Sequence, residues 1–240
     1  MADRIYIAVP CRDRKRIAEL CLPTLKETKK SADLLVLYND GSKEYDANWL
    51  GQFGDMVRTF DEPIGIQAQR RLHFAHFWEQ RHAYTAMYLT DMDAIHDLNW
   101  RSQALGIQRA TGGALTCLYN TRAHTGMIGN VIRDDPKEDV IWQKYAPGIS
   151  YLLTVAHVER IMKVVNDIQH FDWVIPSLFG NRCAISRVSH VDHIGFGGER
   201  HPPGANYNAG DRATNPTAYL VAKRAEIVEE LERQDRGAKK

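Results

Sequence analysis

The sequence has almost no net charge. Its 31 lysines and arginines stand against 30 acidic residues, leaving a formal +1 over 240 residues. No strong field therefore marks nucleic acid or an anionic membrane as the default partner. No apolar run approaches the roughly 20 residues that a membrane-spanning helix needs. The opening "MADRIYIAVPCRDRKR" has a six-residue apolar stretch between charges and no cleavage-like region, so it reads as neither signal peptide nor anchor. The four cysteines, Cys11, Cys21, Cys117 and Cys183, form no C-x-x-C pair and no zinc-like spacing. Reduced thiols in a cytoplasmic protein are the expectation. Internal repeats are absent.

What is present is an alternation of strand and helix signals. "RIYIAV" (4–9) is a buried-strand run, and the segment 14–30 reads as a helix in which Pro23 warns of a kink or an early end. "DLLVLY" (33–38) is a second strand, closed by the turn chemistry of "NDGS", and 55–60 is a weaker third. Residues 64–81 form a helix with Ala68, Leu72, Ala75 and Trp78 on the expected apolar face. "AYTAMYL" (83–89) is a fourth strand. Strands separated by helices imply right-handed parallel crossovers, hence a single α/β sheet. Length allows one sizeable domain, or a domain with a small lobe.

The second half is less regular. Residues 112–119 and 148–153 read as strands, 154–168 as a helix capped by Thr154, and 184–195 as a further strand. A Gly/Pro/Asn-rich loop spans 195–216. Its length is that of a functional lid or a disordered segment. The terminal helix carries an apolar stripe of Leu220, Ile227 and Leu231 among mixed charges, which suits packing on the domain or on a partner subunit.

Ligands of open α/β sheets sit beyond the carboxyl ends of the strands. The polar clusters follow that rule: "PCRDR" after the first strand, "NDGS" after the second and "TDMD" after the fourth. With 18 aspartates in the chain, a D-x-D triplet occurs by chance on the order of once, so the location of Asp91 and Asp93 matters more than the pattern. Residues two apart in an extended segment point the same way, and two carboxylates on one side suit a hard cation, Mn2+ or Mg2+. The alternative is a pair of turn or helix-cap aspartates.

Together these segments resemble the GT-A nucleotide-sugar glycosyltransferases, especially the large inverting family. "VPCRDR" resembles its first strand end, with Asp13 where Asn is usual. "NDGS" stands for its D-D-G-S, "GIQAQRRLHFA" for its arginine-bearing helix and "MYLTDMD" for its D-x-D strand. The order matches over residues 4–94 and returns in pieces at 171–198.

The resemblance implies a GT-A-like (Rossmann-like) α/β domain with a mixed, mostly parallel sheet flanked by helices. Residues 1–94 would be the nucleotide-sugar half, 95–198 the acceptor side, 195–216 a lid over the donor and 217–236 a closing helix. The donor would be a nucleotide sugar, UDP-sugar favoured, contacted by Pro10, Cys11, Arg12, Asp13, Asn39, Asp40, Asp91 and one of Arg70 and Arg71. Asn39 or Asp40 would address the base edge; both also suit a plain turn. Mn2+ or Mg2+ would sit on Asp91, Asp93 and His193, with His190 and Asp192 as alternatives to the histidine. Asp172, in "HFDWVIPSLFG", would be the base of an inverting transfer, raised into range by Phe171 and Trp173; it equally suits a helix N-cap. His73 and His76 share a helix face without a third ligand and read as structural.

The acceptor would be soluble, without a membrane: a small molecule, a glycan, a protein or a modified DNA base. A homodimer is open. The rivals are a nucleotidyltransferase, for which "VPCRDRKR" lacks the glycines, and a non-catalytic nucleotide- or sugar-binding protein.

Overall fold

The computed structural model describes residues 3–194 and 212–237. In chain order it contains β1 (Ile5–Cys11), α1 (Lys15–Thr28), β2 (Leu34–Asp40), α2 (Ala47–Gly51), β3 (Met56–Phe60), α3 (Gly65–Gln80), β4 (Ala86–Thr90) and β5 (Ala94–His96). Then follow α4 (Trp100–Ala110), β6 (Leu115–Cys117), α5 (Arg122–Thr125), β7 (Val131–Arg133), β8 (Val140–Gln143) and β9 (Ser150–Thr154). The chain continues through α6 (Val155–Met162), α7 (Phe171–Leu178), β10 (Cys183–Ser186), β11 (Val191–His193) and α8 (Ala218–Gly237).

Nine strands form one sheet in the order β3-β2-β1-β4-β9-β6-β10-β8-β7. Helical crossovers give β1, β2, β3 and β4 a common direction. β9 is reversed between β4 and β6, and β8 is reversed between β10 and β7. The sheet is therefore mixed, with most strands running one way. Ile5 to Val9, Leu35 to Tyr38 and Ala86 to Leu89 are all buried, because helices cover both faces of the central strands.

Local chemistry explains most elements. Thr154 caps α6 through a capping box: its hydroxyl accepts the His157 N–H at 3.1 Å, and His157 Nδ1 accepts the Thr154 N–H at 3.2 Å. α1 continues past Pro23 to Thr28 without an early end. α8 lays Leu220, Ile227 and Leu231 on Ile17, Cys21 and Ile95 in a second apolar cluster, so it packs on its own domain.

Three expectations are corrected. The buried side of α3 is Gln69, Arg70, His73, Phe74 and Phe77, rotated from the face of Ala68, Leu72, Ala75 and Trp78, because two polar residues are drawn inward towards the site. α6 ends at Met162 rather than 168. The strand expected over 184–195 is two strands in different sheets: β10 joins the main sheet, whereas β11 pairs antiparallel with β5. Of the loop expected over 195–216, residues 195–211 lie outside the described residues.

Candidate functional site

A cleft of about 550 Å3 opens at the carboxyl ends of β1, β2 and β4. The chain leaves β1 through Asp13 and Arg14, both left-handed at φ 48° and 54°, a costly conformation for side chains bearing a Cβ. Asp13 is fixed there by the N–H of Lys43 on its Oδ1 at 2.9 Å and by the Ser42 hydroxyl at 3.2 Å. That tie joins the end of β1 to the turn after β2. Asp40, at the end of β2, accepts the N–H groups of Ile64 (2.7 Å) and Gly65 (3.1 Å) and so anchors the start of α3. Gly41 must be glycine: its φ is +62°, and a Cβ would come within 2.8 Å of Pro63 N.

At the end of β4, Asp91 and Asp93 face the cleft together. One ligand atom each from Asp91, Asp93 and His193 lies within 4.8 Å of the others. His193 arrives from β11, whose pairing with β5 places His193 opposite Ala94. Its Nε2 is 3.1 Å from Asp93 Oδ1. Arg14 reaches the other oxygen of Asp93 at 2.7 Å, and Arg70 reaches Asp91 at 2.8 Å. Both carboxylates are thus charge-compensated on one side.

This arrangement separates their protonation. Burial would raise Asp93, but His193 and Arg14 outweigh it and hold the carboxyl well below the usual range. Burial raises Asp91, with Arg70 opposing and Asp93 reinforcing. Burial would lower His193, yet the carboxylate of Asp93 raises it above the ordinary histidine value. Two hard carboxylates and an imidazole form a donor set that fits Mn2+ or Mg2+.

Asp172 stands in the first turn of α7 on the same cleft. It is not an N-cap: that position is His170, whose side chain makes no capping bond. Asp172 is exposed at the mouth of the cleft, yet the protein around it still raises its carboxyl by desolvation, with Arg70 lowering it and Asp91 raising it further. Gly148 gives it room, since a Cβ there would lie 2.0 Å from Asp172 Oδ1.

Pro10, Cys11, Arg12, Asp13, Asp40, Arg70, Asp91, Asp93, Asp172 and His193 all line the cleft. Burial pushes the Cys11 thiol up, so it stays neutral. Two sequence candidates are elsewhere. Asn39 is buried and its Oδ1 accepts the Ser42 N–H at 3.0 Å, which makes it a turn residue. Arg71 turns away to the carbonyl of Ile168 at 3.0 Å, leaving Arg70 as the arginine at the carboxylates. His190 and Asp192 are also diverted, towards Asp97 (3.9 Å) and Arg224 (2.9 Å). His73 packs on Tyr38 with ring centroids 4.1 Å apart and planes at 49°, and His76 bonds the Tyr38 hydroxyl at 3.1 Å.

Sequence reading did not single out Arg14 or Gly148. Arg14 had a signal in its place just past β1. Gly148 had none, because its neighbour Asp172 is 24 residues away.

No protein-family model and no curated protein matches the sequence. Solved structures do match in shape. S. aureus TarS 1–349 in complex with UDP-GlcNAc aligns over 86% of this chain and 61% of its own, with TM-score 0.59 and 12% identity. A mannosyltransferase, PcManGT from Pyrobaculum calidifontis, in complex with GDP-Man and Mn2+, aligns over 76% and 56%, with TM-score 0.58 and 13% identity. S. aureus TarS aligns over 78% of this chain but 36% of its own, with TM-score 0.58 and 11% identity. The chain therefore spans about a third to three-fifths of the lengths of these proteins. The fold is GT-A-like, shared with these proteins.

Proposed function

We propose that the protein transfers a sugar from a nucleotide-sugar donor, UDP-sugar favoured, to an acceptor hydroxyl with inversion at the anomeric carbon. One observation carries the reading: the Asp91, Asp93 and His193 cluster shares a single cleft with a carboxylate whose proton affinity is raised, Asp172. The donor-bound neighbours of the same fold support it.

Asp91, Asp93 and His193 would hold Mn2+ or Mg2+, which when bound offsets charge developing on the departing diphosphate. Arg70 orients Asp91, and Arg14 orients Asp93. Pro10, Cys11, Arg12, Asp13 and Asp40 bound the donor's nucleotide side. Asp172 takes the proton from the acceptor hydroxyl as its oxygen attacks the anomeric carbon. The bond from that carbon to the diphosphate oxygen breaks, its electron pair leaving with the nucleoside diphosphate. A single displacement inverts the centre. A carboxylate with a raised pKa is a stronger base than one in water, and so is better matched to this step near neutral pH.

The test incubates the protein with manganese and a panel of UDP-, GDP- and dTDP-sugars and measures free nucleoside diphosphate and free or transferred sugar. Release of sugar 1-phosphate instead would indicate nucleotidyl transfer. No turnover of any donor, with no thermal shift by any nucleoside diphosphate, would refute the reading.

A further inference from the structure

Most large apolar side chains of this chain are hidden, but Trp173 keeps 49% of its surface open while lining the cleft beside Asp172. An indole left in water forgoes a large burial gain. This one is also held in place. Tyr145 packs against it with ring centroids 4.7 Å apart and planes at 58°. Tyr145 is itself pinned by Asn130, which is 2% exposed. Asn130 Oδ1 accepts the Tyr145 N–H at 2.9 Å, and its Nδ2 donates to the Gln143 side chain at 3.2 Å and to the His124 carbonyl at 2.8 Å. A buried amide thus fixes the turn after β8, the turn fixes Tyr145, and Tyr145 braces a solvent-facing ring. Ordering of this kind is what a preformed binding surface requires.

The geometry points to Trp173, braced by Tyr145, as the acceptor subsite, and to a saccharide ring as the acceptor it takes. The inference rests on the transfer reading and deepens it. The face of an aromatic ring carries negative charge density and attracts the weakly positive C–H face of a sugar. The hydroxyls around the sugar's rim stay free, so one of them can meet Asp172, the preceding residue. A serine or threonine side chain offers no such face. A flat nucleobase fits a slot between parallel rings, whereas these two rings make an inclined corner.

The experiment uses the full chain labelled with 15N-tryptophan, in which five indole N–H signals are expected and Trp173→Phe assigns the relevant one. Methyl β-D-glucopyranoside and methyl α-D-mannopyranoside are titrated, with thymidine and N-acetylserinamide as competing classes. Movement of the Trp173 signal by a glycoside is the expected result. Tyr145→Ala should weaken that glycoside by about tenfold with Trp173 still present. Trp173→Ala should abolish binding of the glycoside, followed by calorimetry, while the thermal shift given by UDP with manganese stays as in wild type. A Trp173 signal unmoved by both glycosides, or moved by thymidine or N-acetylserinamide alone, overturns the inference. Wild-type protein that takes a glycoside but acts on no nucleotide sugar overturns the acceptor assignment through the transfer reading, a failure the donor assay registers separately.

Discussion

Gly148→Ala is the sharpest perturbation available, because it adds one methyl group at a position whose three nearest atoms among the described residues all belong to the Asp172 carboxylate. The new Cβ would lie 2.0 Å from Asp172 Oδ1 and 2.8 Å from its Cγ. Heavy atoms in contact prefer a separation of roughly 3.5 Å, so carboxylate and methyl must part by about 1.5 Å. Gly148 is not in a left-handed conformation, and Asp172 faces an open cleft, so the side chain can swing away. The cost to stability then falls at the lower end of overpacking, about 1 kcal/mol. The cost to the reaction is larger, since a misplacement of about 1 Å in a reacting group lowers rate on the order of 100-fold, or ~2.7 kcal/mol of barrier. The assay is nucleoside diphosphate release at saturating donor and acceptor, with donor affinity and thermal midpoint measured alongside. The expected variant folds, binds donor normally and turns over on the order of 100-fold more slowly. In an Asp172→Asn background the same alanine should add almost nothing, because the base it displaces is already gone. Gly148→Ala at wild-type turnover, or losses that multiply in the double variant, would refute the assignment of Asp172.

Three further outcomes follow from the same geometry. Manganese at about 100 times its Kd should stabilise the protein by ~2.7 kcal/mol; Asp91→Asn should lose that gain while keeping its fold, and Arg14→Gln, which frees an oxygen of Asp93, should tighten manganese by about tenfold in an EPR titration. Equal manganese affinity in all three proteins would remove the metal assignment. Asp172→Asn should lower turnover far more than donor affinity while the thermal midpoint stays near that of wild type; in wild type, turnover should fall as pH drops through a pKa above the usual carboxylate value. Burial lowers His96 to about 3 and His157 to about 4, so below about pH 6.5 the unfolded chain takes up protons that the folded chain refuses, and stability should drop by ~1.4 kcal/mol per pH unit for each histidine; denaturant midpoints that stay level between pH 7 and 5 would contradict this.

Residues 4–94 were the more legible part of the sequence. Their strands are continuous apolar runs ended by polar clusters, and β1, β2 and β4 lie where those runs do. Asp91, Asp93 and the first strand end follow from the rule that parallel strands present their carboxyl ends to ligands. The face of α3 was misjudged because Arg70 is buried against the carboxylate of Asp91, with Gln69 beside it on the cleft wall, which hydrophobic periodicity does not register. Arg70 and Arg71 could not be told apart in one dimension, as only the helix phase sends one to Asp91 and the other to Ile168. The split between β10 and β11 was hidden because three-residue strands leave no alternation to read. Gly148 and the Asn130 to Tyr145 tie join segments by long-range contacts, for which a single sequence carries no pattern.

The reversal of β9 has a consequence for how such a protein can diversify. Strands that share the direction of β1 deliver their ends to the cleft, but β9 delivers its beginning, so the excursion of residues 118–149 empties directly onto the same rim beside Asp172. Insertions, deletions or wholesale replacement within that excursion would reshape the rim beside Asp172 while Asp13, Asp40 and Asp91 keep their positions. In the proposed reaction, recipient and donor preference would then be written on separate lengths of chain, free to drift at different rates.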